Sequence, residues 1–208
     1  MSIDPALLLV FIPTFFVVSA TPGMCMTLAL SLGMSIGPRR TLWMMTGGLI
    51  GVAIVAVAAA VGVAAIMLNH PTVFAGFKVL GGIYLGWLGV QLWRSRGQLA
   101  IQPDRSDNAG GSGVQLLMQG LITAVANPKG WAFVVALLPP FLDNTRALAP
   151  QLIVLVTLML VIEFICLQLY AHGGHWLSRW LGQRGNVRLI NRLAGALMIG
   201  VGVWLLLG

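Results

Sequence analysis

Charged residues are scarce in this sequence, and their scarcity decides its class. Only 8% of the 208 residues are Asp, Glu, Lys or Arg, whereas about 25% is usual in soluble domains. Water would not solvate such a chain, so a soluble globular protein is excluded. Because 58% of the residues are hydrophobic, we predict an all-α membrane protein, a single transmembrane domain over residues 1–208 that contacts the lipid bilayer.

Cysteine is equally sparse, and the motifs of catalysis are missing. The two cysteines, Cys25 and Cys166, lie in apolar segments, so we expect free thiols rather than a disulfide framework. No His, Cys or carboxylate spacing suits a metal, and the sequence contains no catalytic triad or phosphate-binding loop. We therefore predict that the chain is not an enzyme, needs no metal or cofactor, and is not an ATP-driven pump.

Long apolar runs are what the sequence has instead. A membrane-spanning helix needs about 20 apolar residues, and runs bounded by charge, proline and glycine predict six transmembrane helices. Helices 1 to 6 are predicted at about residues 6–33, 42–68, 74–93, 114–142, 150–171 and 189–207. No Lys or Arg precedes the first run, so we expect a retained helix rather than a cleaved signal peptide.

Lysine and arginine are distributed unevenly between alternate loops. Nine of them fall in the loops after helices 1, 3 and 5, two fall near the loops after helices 2 and 4, and Lys129 lies inside helix 4. Cytoplasmic loops retain positive charge. We therefore predict a multi-pass protein of the inner (cytoplasmic) membrane with both termini on the periplasmic side. The same bias explains the net charge of +7, and no nucleic-acid partner is predicted.

The two halves of the chain resemble each other. Pro22 and Pro128 are 106 residues apart, and a basic residue followed by two spaced glycines occurs in 78–86 and again in 192–200, at an offset of 114. Three spans is an odd number, so a second copy must be inverted in the membrane, a design found in secondary transporters. We predict two inverted three-helix repeats, about 1–97 and 114–208, joined by a flexible Gly- and Ser-rich loop at about 98–113.

Predicted helices 1 and 4 are too long for a simple span. About 28 residues would extend roughly 42 Å at 1.5 Å per residue, and the hydrocarbon core is about 30 Å thick. Each carries a proline near its middle, which removes an N–H donor and breaks or kinks a helix. We predict that both helices are broken at mid-membrane, although kinks in ordinary packed helices would also fit.

Such breaks would create a polar site in an apolar surrounding. Lipid cannot satisfy the exposed N–H and C=O groups, so they must face protein or a water-filled cavity. The positive ends of the following half-helices, starting near Gly23 and Gly130, would attract a carboxylate. The residues of the two breaks are the candidate substrate-binding residues: Thr21, Pro22, Gly23, Asn127, Pro128, Lys129 and Gly130.

Two charged residues lie deep inside predicted spans, Lys129 in helix 4 and Glu163 in helix 5. Each would cost about 2.5–3.5 kcal/mol at the membrane centre, so both must face the bundle interior. In one interpretation they form an ion pair that fixes helix packing. In the other, Lys129 binds a substrate carboxylate, while Glu163 meets a substrate ammonium or takes up a proton, which makes it the proton-coupling candidate.

Glycine-rich faces in helices 2 and 3, within residues 47–51 and 81–89, predict close approach of helices. Packing within one chain and a homodimer seam both fit these faces.

Three motifs together resemble the lysine exporter (LysE) superfamily, homoserine/threonine-resistance (RhtB) type. They are Thr-Pro-Gly at 21–23, the run Gln-Gly-Leu-Ile-Thr-Ala-Val-Ala-Asn-Pro-Lys at 119–129, and Leu-Pro-Pro-Phe-Leu at 138–142. The resemblance implies secondary export of amino acids driven by the proton motive force, with Pro22, Gly23 and the Asn-Pro-Lys at 127–129 in characteristic positions. Met24 stands where the family usually has a second proline, and no family role is carried over to Glu163.

The function predicted from these features is export of a small amino acid or derivative across the inner membrane by a proton-coupled secondary transporter. The alternatives are a passive channel or cation exporter, and a non-transporting membrane scaffold.

Overall fold

A computed structural model describes residues 4–69, 71–94, 111–138, 141–143 and 146–207. Within those ranges the chain forms helices and no strand. The helices are α1 (Pro5–Ala20), α2 (Met24–Ser35), α3 (Pro38–Asn69), α4 (Pro71–Arg94), α5 (Gly113–Val125), α6 (Pro128–Leu137), α7 (Leu148–Gly182) and α8 (Arg184–Leu207).

Both predicted helix interruptions are present. Predicted helix 1 consists of α1 and α2, which meet at an angle of 57° across residues 21–23. Predicted helix 4 consists of α5 and α6, separated at residues 126–127. The second of these ends at Leu137 rather than 142, because two prolines follow Leu138 in the sequence and proline cannot continue a helix.

Several predicted helix ends were wrong, and apart from the end of helix 4 the predicted helices were too short. α3 begins at Pro38 rather than 42, directly after Gly37, whose φ of +82° turns the chain. α7 continues to Gly182 rather than ending at 171, with a change of direction at Gly174, where φ is +46°. The physical reason is that an apolar run marks only the part of a helix that lies in the hydrocarbon core of the bilayer. Polar residues beyond it continue the same backbone hydrogen bonding.

Three described helices are long and apolar enough to cross a bilayer: Pro38–Gly62, Leu148–Gly174 and Gly185–Trp204. The bent pair α1 and α2 makes a fourth if it counts as one span. The protein is therefore an all-helical membrane protein. Spanning by α4 and by α5 with α6 remains a prediction, and the predicted loop at 98–113 lies mostly outside the described residues.

The helices α4 and α8 pack in antiparallel directions at very short distance. A Cβ on Gly89 would lie 2.6 Å from the carbonyl oxygen of Gly195, and a Cβ on Gly202 would lie 2.7 Å from that of Gly82. Moving seven residues back along α4 thus moves seven residues forward along α8. Glycine at these positions lets the two backbones touch.

A second close contact joins α3 to α5. A Cβ on Gly47 would overlap the carbonyl oxygen of Leu117, and a Cβ on Gly120 would overlap that of Met44. Packing of the glycine-rich faces within one chain is therefore confirmed for these positions, and the homodimer remains a prediction.

The long helix α7 holds the broken helix 1 in position. It contacts both α1 and α2, and a Cβ on Gly33 would lie 2.7 Å from the Cα of Ala171. The helix α6 packs against α3. These contacts bring the two breaks to the same region of the molecule.

Candidate functional site

A cavity lies between the two helix breaks. It is lined by residues of α1, α2, α3, α5, α6 and α7 and of both breaks. The side chains that bring oxygen or nitrogen to it are Ser19, Thr21, Asn127, Lys129 and Glu163.

The carboxyl end of α1 is bonded by side chains from distant helices. A helix end leaves up to four carbonyl groups without partners. The Nζ of Lys129 donates to the carbonyl oxygens of Val18 and Thr21, both at 3.0 Å, and the Tyr170 hydroxyl donates to that of Ala20 at 2.8 Å. An ammonium at this position complements the negative end of the helix dipole.

The start of α2 is open by comparison. Its N-cap residue is Gly23, and no side chain caps the first turn. Gly23, Cys25 and Met26 line the cavity, and a Cβ on Gly23 would lie 3.6 Å from the Nζ of Lys129. Uncapped N–H groups beside an ammonium form a place where an anion is stabilised.

The second break is bonded mostly by its own residues. The side-chain oxygen of Asn127 accepts from the backbone N–H of Lys129 at 3.1 Å, and Trp131 Nε1 donates to the carbonyl oxygen of Val125 at 2.9 Å. The amide of Asn127 also reaches the sulfur of Cys25, at 3.9 Å. This last contact links the second break to the first turn of α2.

The carboxylate of Glu163 faces the first break from α7. Its Oε2 accepts a hydrogen bond from the hydroxyl of Ser19, and both residues line the cavity. A serine hydroxyl can donate to a charged carboxylate and can accept from a protonated one. The arrangement therefore accommodates either protonation state of Glu163.

The ion pair between Lys129 and Glu163, one of the two interpretations of these charges, is not formed: these two described residues have no N···O contact within 4.0 Å. Each is bonded to α1 instead, the lysine to carbonyl oxygens and the glutamate to a hydroxyl. Both still line one cavity, so a cation and an acid face the same space from α6 and α7.

The structure brings most of the predicted site residues together. Those that line the cavity are Thr21, Gly23, Asn127, Lys129, Gly130 and Glu163. Pro22 is buried beside the break but is not among the lining residues. Pro128 forms the first position of α6, where its missing N–H is not needed. Half-helices begin at Met24 and Pro128, so the predicted starts near Gly23 and Gly130 are correct to within two residues.

Ser19 and Tyr170 were missed by the sequence analysis. Ser19 sits in an apolar run with no motif to distinguish it. For Tyr170 a signal existed, because it follows Glu163 by seven residues, two helical turns, which places both on one face of α7. Cys166 and Leu167 between them are buried on the same face.

Across the part of the chain that the structure describes, no three His, Cys, Asp or Glu residues are grouped so that they could hold an ion.

Comparison of the sequence with known proteins identifies the family of this chain. A sequence profile for the LysE type translocator matches residues 16–208. An uncharacterized membrane protein of Vibrio cholerae is 32% identical over 197 residues, covering 95% of this chain and 95% of the relative. No solved structure matches the chain at a significant level.

Two further relatives carry functional names. The "Leucine efflux protein" of Enterobacter sp. is 29% identical over 190 residues, 89% of this chain and 88% of the relative. The "Homoserine/homoserine lactone efflux protein" of Salmonella typhimurium is 24% identical over 195 residues, 94% of this chain and 93% of the relative. With a profile that covers nearly all of the sequence and a full-length relative above 30% identity, this chain belongs to the LysE type translocator family.

Proposed function

We propose that the protein is a secondary transporter that exports a small amino acid across the inner membrane by alternating access. The observation that carries the proposal is the meeting of two helix breaks in one cavity that Lys129 and Glu163 both line. Broken helices that present their ends to a central site are a recurrent design of secondary transporters. The names of the two efflux relatives point to the same direction of transport and to amino acids or their derivatives.

In this proposal the carboxylate of the solute binds between the start of α2 and Lys129. An ammonium has three N–H donors, and carbonyl oxygens of α1 take two of those of Lys129. The third donor is left for the solute. Gly23, which has no side chain, leaves the approach to this donor open.

Glu163 binds the ammonium of the solute and, in the other half of the cycle, a proton. A carboxylate held away from water is costly, and either a bound cation or a proton removes that cost. Because both compete for one carboxylate, release of the solute favours uptake of a proton. Exchange of this kind would couple export to the proton gradient.

An inverted repeat is supported by the antiparallel packing of α4 against α8, the helices that carry the aligned segments 78–86 and 192–200. Gly89 contacts Gly195, and Gly202 contacts Gly82. Two inverted copies related by a two-fold axis would place equivalent helices antiparallel beside that axis, so the packing agrees with the sequence repeat.

Two contacts support the proposed orientation. The guanidinium of Arg40 donates to the carbonyl oxygen of Gly111 at 3.0 Å, so the start of α3 meets the start of α5. That of Arg192 lies 5.9 Å from the ring centre of Trp93, so the start of α8 meets the end of α4. The described helix ends that flank the three arginine-bearing loops thus lie at one end of the molecule, which we propose faces the cytoplasm.

Counterflow into proteoliposomes tests the proposal. Vesicles with purified protein are loaded with one unlabelled amino acid at a time and exposed to the same labelled compound at trace concentration. Transient accumulation of label that saturates with concentration supports a carrier. A flux that rises linearly without accumulation would indicate a channel, and absence of flux for every compound would favour a scaffold.

A further inference from the structure

We infer that the solute is an amino acid with an aliphatic side chain, which lies against one apolar wall of the cavity. The inference rests on the proposed transport function and adds the substrate class. The wall is formed by apolar lining residues of α1, α2, α3 and α6, among them Phe15, Met26, Val52, Val55, Phe133 and Val134. We call these six residues the apolar wall.

The apolar wall is continuous with the protein core. Val55, Phe133 and Val134 are 2–3% exposed, so their surfaces toward the cavity are backed by packed side chains. Val52 and Val55 are one helical turn apart and present one face of α3 to the cavity. An aliphatic group placed there is removed from water and gains contacts on several sides.

The polar side chains around the cavity are already hydrogen-bonded within the protein, and the apolar wall carries no side-chain oxygen or nitrogen. The hydroxyl of Thr21 donates to the carbonyl oxygen of Val17 at 2.8 Å, and that of Ser19 donates to Glu163. Asn127 uses its oxygen for Lys129 N–H and directs its amide at Cys25. A hydroxyl or amide that the solute placed against the apolar wall would find no side-chain partner there, which is unfavourable.

The charges of the cavity match the one carboxylate and one ammonium of a single amino acid. Among the described lining residues there is one cation, Lys129, and one acid, Glu163. The carboxylate and ammonium of an amino acid use both. A lysine or arginine as solute would bring a second cation toward an apolar wall that has no acid to receive it.

Competition counterflow with the wild-type protein tests the substrate class directly. Leucine, valine and methionine are compared with homoserine, serine and lysine at equal concentrations, and we expect the aliphatic group to exchange at least ten times faster. Faster exchange of homoserine, serine or lysine overturns the inference and leaves the export function standing. If none of the compounds exchanges, the proposed function itself fails.

Enlarging a residue of the apolar wall tests whether the side chain of the solute lies against it. Val52→Phe enlarges a residue of the apolar wall, and Val57→Phe makes the same change on the same helix, at a residue that is 52% exposed and does not line the cavity. In Val52→Phe we expect leucine exchange to fall at least tenfold while alanine, whose methyl group is too short to reach the wall, stays within threefold of wild type. Val57→Phe should leave both unchanged. Equal loss of leucine and alanine exchange in Val52→Phe, or no loss of either, overturns the inference.

Discussion

The two helix breaks differ in where the hydrogen-bond partners of their groups come from. At the second break the bonds join near neighbours, as in the caps made by Asn127 and Trp131 across two and six residues. At the first break the partners of α1 lie 108 to 150 residues away, on Lys129 and Tyr170. A break that depends on distant side chains can exchange them for other partners, whereas a break closed by its own residues keeps its shape. We therefore expect the second break to be the fixed side of the cavity, and we propose that the solute binds at the first.

The largest effect expected from this difference is that of Lys129→Met. The variant removes the ammonium that bonds two carbonyl oxygens of α1 and, in our proposal, the solute carboxylate. We expect counterflow to fall at least 100-fold. Unpaired carbonyl groups cost about 1–3 kcal/mol each, so the Tm in detergent should also drop.

The matched control for that variant is Lys78→Met, which changes the chain's only other lysine and should keep near-normal counterflow. Transport by Lys129→Met above half the wild-type rate would show that the ammonium does not serve the solute.

Glu163→Gln is expected to abolish coupling and, because the amide carries no charge for the solute ammonium, also to weaken solute binding. The amide keeps the shape and can still accept from Ser19, but it cannot take up a proton. Efflux driven by a pH gradient should fall at least tenfold, while any remaining counterflow should lose its response to the gradient.

Asp4→Asn is the control for this substitution, because Asp4 is exposed and caps α1 and asparagine caps equally well. Unchanged gradient-driven efflux by Glu163→Gln would remove the coupling role of this residue.

Tyr170→Phe should destabilise the end of α1 at the first break, while both charged residues of the cavity stay in place. It deletes one hydroxyl and leaves the carbonyl oxygen of Ala20 without its 2.8 Å donor, a loss of about 1 kcal/mol. We expect the counterflow rate to fall between threefold and tenfold and the Tm to be lower than that of the wild type. Tyr84→Phe, at an exposed position of α4, should change neither. Identical behaviour of the two variants would contradict a structural role for the Tyr170 hydroxyl.

Asn127→Ala should give the smallest effect on transport, because it tests the break that is closed locally. Loss of the cap to Lys129 N–H costs about 1 kcal/mol, which should lower the Tm while counterflow stays within threefold of wild type. Asn127→Ser restores a capping oxygen and should recover most of the Tm. A collapse of transport in both variants, with normal Tm, would mean that the second break contacts the solute as directly as the first.

Sequence reasoning found the breaks but not what bonds them. Pro22 and Pro128 act on the residues next to them, so the interruptions follow from local covalent structure. The depth of Glu163 and Lys129 within apolar runs likewise indicated that both face the interior. Their partners could not be predicted, because the pairing of Ser19 with Glu163, or of Lys129 with the end of α1, arises only when helices far apart in sequence pack together.

Helix ends were the other shortfall, and for a related reason. α8 begins at Arg184, five residues before the predicted start, since backbone hydrogen bonding does not stop where hydropathy falls. Family resemblance added the expected transport class, and the predicted match was confirmed over residues 16–208. It did not identify Tyr170 or the apolar wall.

The contact of α4 with α8 has a consequence for how the molecule could move. Where glycine backbones touch, as at Gly89 and Gly195, backbone atoms make the contact, and these cannot change rotamer to let one helix slip along the other. We therefore expect α4 and α8 to keep their relative position throughout a transport cycle, while the helices on either side of this pair rearrange. Spin labels placed across α4 and α8 would keep a constant separation while labels across α1 and α6 change theirs.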